Sequence, residues 1–355
     1  MTLLFVEPWL SYPNNQDGLN QNGWVLEGTS TATMVIASAT PRISGSKYLH
    51  VTSSASDSIA NKLGISFTDK QTVFFNSSFN FFEEERSGIC YFFDTAVQHI
   101  SVLLNTDAKI YVYRGTDSGT LIATSTLLTS YNAWHHVEIK VKIDNTVGIV
   151  IVNIDGIEFI NFSGDTQNAG NATCNKISLG NAYLQAANAY PGTNKLMGEI
   201  FIFDDQGSFW NDFQGDIACV AMPPTSDVTP NQFTPSAGTD HFAMVDEVVP
   251  DEDTTYLESS TDAQQCLFAP DALAANISEL LGVVLENVSR KTDIDDNQIS
   301  NFLKVSTTST VSTPTGLTTD YTYSRNIYES NPDTAVAWAL ADWTNISFGF
   351  ENTVP

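Results

Sequence analysis

Apolar residues in this chain recur mostly at a spacing of two. Trp134, His136, Glu138, Lys140 and Lys142 fall on one side of an extended segment, and His135, Val137, Ile139, Val141 and Ile143 on the other. Successive strand side chains point to opposite faces, so Trp134–Ile143 is predicted to be a strand. Val73–Phe81 mixes alternating aromatics with β-formers, and Tyr48–Val51 reads as an early strand. His99–Asn105 runs into the turn signal Asn105-Thr106-Asp107, and Lys109–Gly115 resumes the β pattern, which predicts a hairpin. Gly148–Ile154 and Ile157–Ile160 flank Asp155-Gly156, a dipeptide suited to a tight hairpin turn. Helix signals are almost absent; Pro270–Leu281, with its Ala, Leu and Glu content, is the best candidate, and one or two turns at most are expected there beside the β-branched run Val283-Val284-Leu285. Many short strands punctuated by Gly, Asn, Asp and Ser imply an all-β sandwich.

A length of 355 residues predicts two domains, each able to bury its own core. The Pro/Ser/Thr-rich stretch 223–239 reads as a linker, because proline lacks the amide that a sheet ladder uses. Residues 1–222 are therefore expected to form one sandwich and 240–355 a smaller one. Ser306–Pro314 fits either an edge strand or a surface loop.

Charge narrows the possible partners. Fifteen Lys and Arg against 41 Asp and Glu give a net charge of −26, yet charged residues are only 16% of the chain. The acidity reflects missing bases. Nucleic acid is not expected as a partner, because phosphate contacts need clustered Lys and Arg, and an anionic membrane is disfavoured on the same ground. An aromatic content of 11% excludes wholesale disorder. No run of 18 apolar residues is present. Met1–Glu7 has no basic leader, so the chain is expected to fold in a cytosol. Cys90, Cys174, Cys219 and Cys266 show no CxxC spacing and read as free buried thiols rather than a zinc site or disulfide framework.

Trp134-His135-His136-Val137-Glu138, followed by Gly148–Ile154 and Asp155-Gly156, resembles the concanavalin-A-like, laminin-G-like jelly rolls. Gly164-Asp165-Thr166, Lys176–Gly180, Gly198–Asp205 and a Gly215–Val220 strand follow in an order similar to modules of tailed-phage virion proteins. Val245–Leu257, Arg290–Asp293, Asn331–Trp338, Ala341-Asp342 and Phe348–Glu351 resemble a phage virion β-domain. The likeness spans about residues 70–355. It implies an all-β chain with an N-terminal concanavalin-A-like jelly roll, in which Trp134 plugs the sandwich, and a smaller C-terminal β-sandwich. It also implies a structural component on the virion exterior (tail, fibre-like or decoration protein), made in the host cytoplasm. Such a component contacts other virion proteins and forms a homo-oligomer, a trimer by family habit.

The jelly-roll fold also hosts glycoside hydrolases, so catalysis is the competing reading. Retaining glucanases of this fold carry Glu-x-Asp-x-Glu, which holds acid and nucleophile about 5 Å apart on one strand face. No such string occurs, and of Glu83-Glu84-Glu85 only Glu83 and Glu85 can share a face. A non-enzymatic chain with no catalytic residue and no cofactor is the expectation. The alternatives are a carbohydrate-binding adhesin for host surface glycan and a polysaccharide depolymerase. Asp251-Glu252-Asp253, Asp293/Asp295/Asp296 and Asp204-Asp205 offer oxygens that could hold Ca²⁺, though each reads first as a solvated turn. Among His50, His99, His135, His136 and His241, no pair has ligand spacing. Trp134 and His136 could stack on a sugar, but no glycan-binding residue is fixed by the sequence. Six Asn-x-Ser/Thr strings, at Asn76, Asn161, Asn171, Asn276, Asn287 and Asn345, read as chance in an Asn-, Ser- and Thr-rich chain.

Overall fold

The computed structural model describes residues 3–12, 19, 23–27, 33–39, 41–43, 46–52, 62–82, 86–180 and 194–354. They divide into two compact units, Met1–Cys219 and Val220–Pro355, both built from antiparallel strands.

The first unit is a jelly-roll-like sandwich of two sheets. The first sheet runs Ile157–Gly164, Gly148–Ile154, Trp134–Lys142, Thr72–Phe81, Asn194–Phe203, Tyr48–Thr52, Thr33–Ala37, with Leu3–Glu7 also paired to Asn194–Phe203. The second runs Thr120–Thr124, Ile110–Arg114, Val97–Leu104, Ser87–Asp94, Cys174–Gly180, Lys62–Lys70, Val25–Glu27. Alternation decides what meets between them. Val73, Phe75, Phe79, Val137, Ile139 and Val141 from the first sheet join Cys90, Phe92, Ile100, Val102, Ile177 and Leu179 from the second in one core. Burial of each large side chain stabilises the sandwich by about 1.5–3 kcal/mol.

The predicted hairpins are present. Leu104 pairs with Ile110, closed by the Ala108 N–H to Asn105 carbonyl bond of 2.9 Å. Asp155 and Gly156 take φ of 51° and 75°, the left-handed pair that a two-residue hairpin needs. Tyr48–Thr52 is a strand, as its pattern suggested.

The second unit has a main sheet ordered Pro224–Asn231, Gln265–Pro270, Ile346–Thr353, Gln298–Val305, Thr308–Val311. The ribbon Val283–Ser289/Thr322–Tyr328 packs with it through Val283, Leu285, Leu303, Val305, Trp338 and Ile346. A second cluster gathers Phe233, Cys266 and Phe268 with Phe348 and Phe350.

Three expectations change. The stretch 223–239 is not a linker: Pro224–Asn231 pairs with Gln265–Pro270, and Thr234–Pro235 with Leu257–Glu258. Proline is tolerated there because Pro224–Asn231 is an edge strand, and its register shifts between Pro224/Ser226 and Val228/Asn231. Residues 270–281, by contrast, hold one turn, in which Ile277 N–H bonds the Ala274 carbonyl at 3.0 Å, within the one or two turns at most that were expected. Gly215–Val220 forms no strand. Trp134 does not plug the sandwich: it lies on the outer face beside Tyr48, ring centroids 6.1 Å apart, while Trp9 and Trp24 fill the core. Of the two readings for Ser306–Pro314, the edge strand holds at Thr308–Val311.

Candidate functional site

Residues 204–219 cover the middle of the first sheet's outer face, over Thr72–Phe81, Trp134–Lys142 and Asn194–Phe203. Trp210 packs on Phe201 at 5.9 Å and Phe203 at 5.7 Å, and Phe213 meets the Phe74 ring edge-on at 5.5 Å. Glu138 Oε1 accepts the N–H groups of Gln214 (2.8 Å) and Gly215 (2.9 Å), and Asn76 donates to the Gly215 carbonyl at 3.1 Å. Arg42 pairs with Asp216, donates to Ser78 Oγ at 2.6 Å and the Ile217 carbonyl at 3.2 Å, and stands 3.9 Å from Glu199. Burial lowers the Arg42 guanidinium and raises the Glu199 carboxyl from their ordinary values, each opposed by the other's charge. His136 is 5% exposed; Nδ1 lies 3.5 Å from Asp216, Nε2 lies 4.0 Å from Glu138, and neither nitrogen makes a hydrogen bond among the described residues. Trp134 and His136 do share a face, but His136 is packed beneath the covering segment and cannot stack on a sugar.

The second sheet's outer face has another character. Tyr91, Phe93 and Leu103 cluster there with Tyr113 packed against them. Register carries the face across the sheet: Tyr113 opposes Ser101, Tyr111 opposes Leu103, and Lys176 opposes Phe93. The half-buried Tyr111 and Tyr113 rings stack 6.3 Å apart at 18°. Three cations lie over these rings: Lys62 at 4.0 Å from the Tyr91 centroid, Lys176 at 4.3 Å from Phe93, and Arg86 at 5.4 Å from Tyr113. Lys176 also pairs with Glu27 at 2.6 Å. Burial brings Lys62 down to about 8, against the pull of Glu27 and Asp117 and helped by Lys176. Burial likewise raises Asp117 and pushes the Tyr91 phenol well up, and Tyr91 Oη has no hydrogen-bond partner among the described residues. No sequence motif marked this site. The aromatic i, i+2 pairs Tyr91/Phe93 and Tyr111/Tyr113 were the available signal.

The remaining candidates disperse. His135 Nδ1 lies 2.6 Å from Asp155 Oδ2, and Nε2 lies 2.9 Å from Ser130 Oγ, beside a pocket of about 250 Å³. His99 accepts the Asn168 N–H at 3.2 Å, and His241 contacts Asp227 at 3.2 Å. Asp204 pairs with Lys70 at 2.5 Å. Asp251 accepts the Thr255 hydroxyl, Asp253 accepts Arg290 (2.6 Å) and Tyr321 (2.8 Å), and Asp293 accepts Asn297 at 2.8 Å. Among the described residues, no group of three or more His, Cys, Asp or Glu converges as a metal site. Glu83, Glu84 and Glu85 lie outside the described residues. All four cysteines are free; Cys90, Cys174 and Cys266 are buried, whereas Cys219 is partly exposed.

No protein-family model and no curated protein matches the chain. Among solved structures, it is similar to the endo-β-1,4-glucuronan lyase of the fungus Trichoderma reesei, with TM-score 0.43 and 13% identity over 57% of this chain and 95% of that one. It is similar to alginate lyase Aly36B, with TM-score 0.41 and 11% identity over 57% and 98%. It is also similar to botulinum neurotoxin type C, whose cell entry depends on two ganglioside molecules, with TM-score 0.39 and 10% identity over 57% and 47%. These neighbours are carbohydrate-active proteins. The expectation of a non-enzymatic chain is contradicted by these matches, among which stand lyases of glucuronan and alginate.

Proposed function

We propose that the chain is an outward-facing component of a tailed-phage particle whose first unit recognises an acidic glycan of the host surface. The observation that carries the glycan reading is the outer face of the second sheet, where Tyr111 and Tyr113 stack with Arg86 over Tyr113, and Lys62 and Lys176 lie over Tyr91 and Phe93 further along the same face. A pyranose ring offers C–H groups to aromatic faces, and its carboxylate or sulfate finds local cations on a chain of net charge −26. The virion placement rests on the resemblance of residues 70–355 to phage virion modules, with the rest of the particle and further copies of this chain, a trimer by family habit, as partners.

A glycan array probed with the purified chain tests the recognition. Binding to uronate- or sulfate-bearing saccharides over neutral ones is expected, and equal binding to both classes contradicts the proposal. Mass spectrometry of purified particles tests the placement; finding the chain only in the unassembled fraction contradicts it.

A further inference from the structure

Three polar side chains meet where the first sheet ends. Ser130 lies in the loop before Trp134–Lys142, His135 in the first residues of that strand, and Asp155 in the tight turn after Gly148–Ile154. The loop is held on both sides of Ser130: Thr129 N–H bonds the Ala108 carbonyl at 2.8 Å and Asn132 N–H bonds the Phe81 carbonyl at 2.7 Å. Asp155 Oδ1 accepts the His136 backbone N–H at 2.8 Å, which orients the carboxylate and leaves Oδ2 facing His135 Nδ1 at 2.6 Å. His135 Nε2 stands 2.9 Å from Ser130 Oγ and 3.2 Å from the Ser130 carbonyl. A carboxylate beside Nδ1 places the imidazole proton there. Nε2 then presents a lone pair, and the Ser130 hydroxyl is the group beside it with a proton to give. The side chains border a pocket of about 250 Å³ whose walls are Leu128, Thr129, Ile154, Ile157 and Phe159. Ser130 itself is exposed.

We propose that Ser130, His135 and Asp155 form a nucleophilic triad that hydrolyses esters of short carboxylic acids, with the acyl chain against Leu128, Ile154, Ile157 and Phe159. Ser130 Oγ attacks the ester carbonyl carbon while its proton passes to His135 Nε2. Collapse of the tetrahedral adduct breaks the bond to the alkoxy oxygen, which leaves as the alcohol with that proton. Water then attacks the acyl-Ser130 carbonyl, giving its proton to Nε2; the acid departs and Oγ regains the proton. Asp155 positions the imidazole and stabilises its cationic form. Neither the phage placement nor the glycan reading is needed for this step.

The test uses the full chain with p-nitrophenyl acetate, p-nitrophenyl butyrate and a fluorophosphonate label. The expected result is turnover of both esters and a single phosphonyl adduct that tandem mass spectrometry places on Ser130. Ser130→Ala should abolish the adduct, and His135→Ala and Asp155→Asn should lower turnover by about 10³-fold or more. Because Ser130 is exposed, Ser130→Ala should melt as the wild type does. A folded wild-type chain that takes no label on Ser130, or ester turnover unchanged in Ser130→Ala, overturns the proposal. If the wild type is inert and His135→Ala only melts earlier, the three residues are a latch on the loop, which equally overturns it.

Discussion

Single residues set two terms of the first unit's stability. Glu7 is fully buried, and its carboxylate accepts the Trp9 N–H (3.1 Å), the Tyr12 hydroxyl (2.8 Å) and the Trp24 indole N–H (2.9 Å). Glu7→Ala leaves those buried donors without their acceptor. A loss of about 3 kcal/mol is expected from the shift in urea midpoint, since bonds to a charged group contribute about 1.5–3 kcal/mol. Lys195 is the opposite case, a buried amine that donates to the Gly88 and Gly180 carbonyls, with burial pulling it down to about 7. Its folded value lies below its unfolded one, so between pH 7 and 8.5 the unfolded chain holds more protons and stability rises with pH, by at most about 1.4 kcal/mol per pH unit. Lys62 adds the same sign as it titrates near 8. Lys195→Met should flatten the rise in unfolding free energy measured by urea titration across that window; an unchanged slope would show that Lys195 is not its source. Neither residue was legible in the sequence, where nothing distinguishes a lysine at a sheet surface from one directed inward.

At the scale of elements, period-two alternation was enough to find the strands, because each half-buried strand repeats the same in–out choice. It could not show what lies on the outer face. Thr72–Phe81 is buried at every position, since 204–219 covers the side that alternation would leave wet. That cover explains why Trp134 and His136 looked like a sugar-stacking pair, and why Gly215–Val220 looked like a strand. Its anchor is Glu138, which receives the amides of Gln214 and Gly215. Glu138→Ala should therefore speed hydrogen exchange of those two amides by at least tenfold while the exchange of Val137 and Ile139 in the strand changes little. Pro224–Asn231 shows the other weakness of sequence reading: proline argues against a central strand but is compatible with an edge, and only the pairing with Gln265–Pro270 distinguishes strand from linker. The Ser130–His135–Asp155 group was hidden for a related reason. His135 and Asp155 are 20 positions apart in sequence, and strand pairing brings them together.

For the whole molecule, a charge of −26 sets the background against which its few cations act. Lys62, Arg86 and Lys176 share one sheet face with Tyr91, Phe93 and Tyr113. That concentration makes the face a local exception to the acidic chain. Capture of an acidic saccharide there should weaken as salt rises from 50 to 500 mM, because screening at partly exposed cations grows over that range, and a binding isotherm at each salt concentration reads the change. Calorimetric titration of the wild type, Tyr113→Ala and Lys176→Ala with one uronate oligosaccharide tests the recognition face most directly. Affinity at least tenfold weaker in each variant, about 1.4 kcal/mol, is the expected result. Equal affinity in all three chains would contradict glycan recognition at this face.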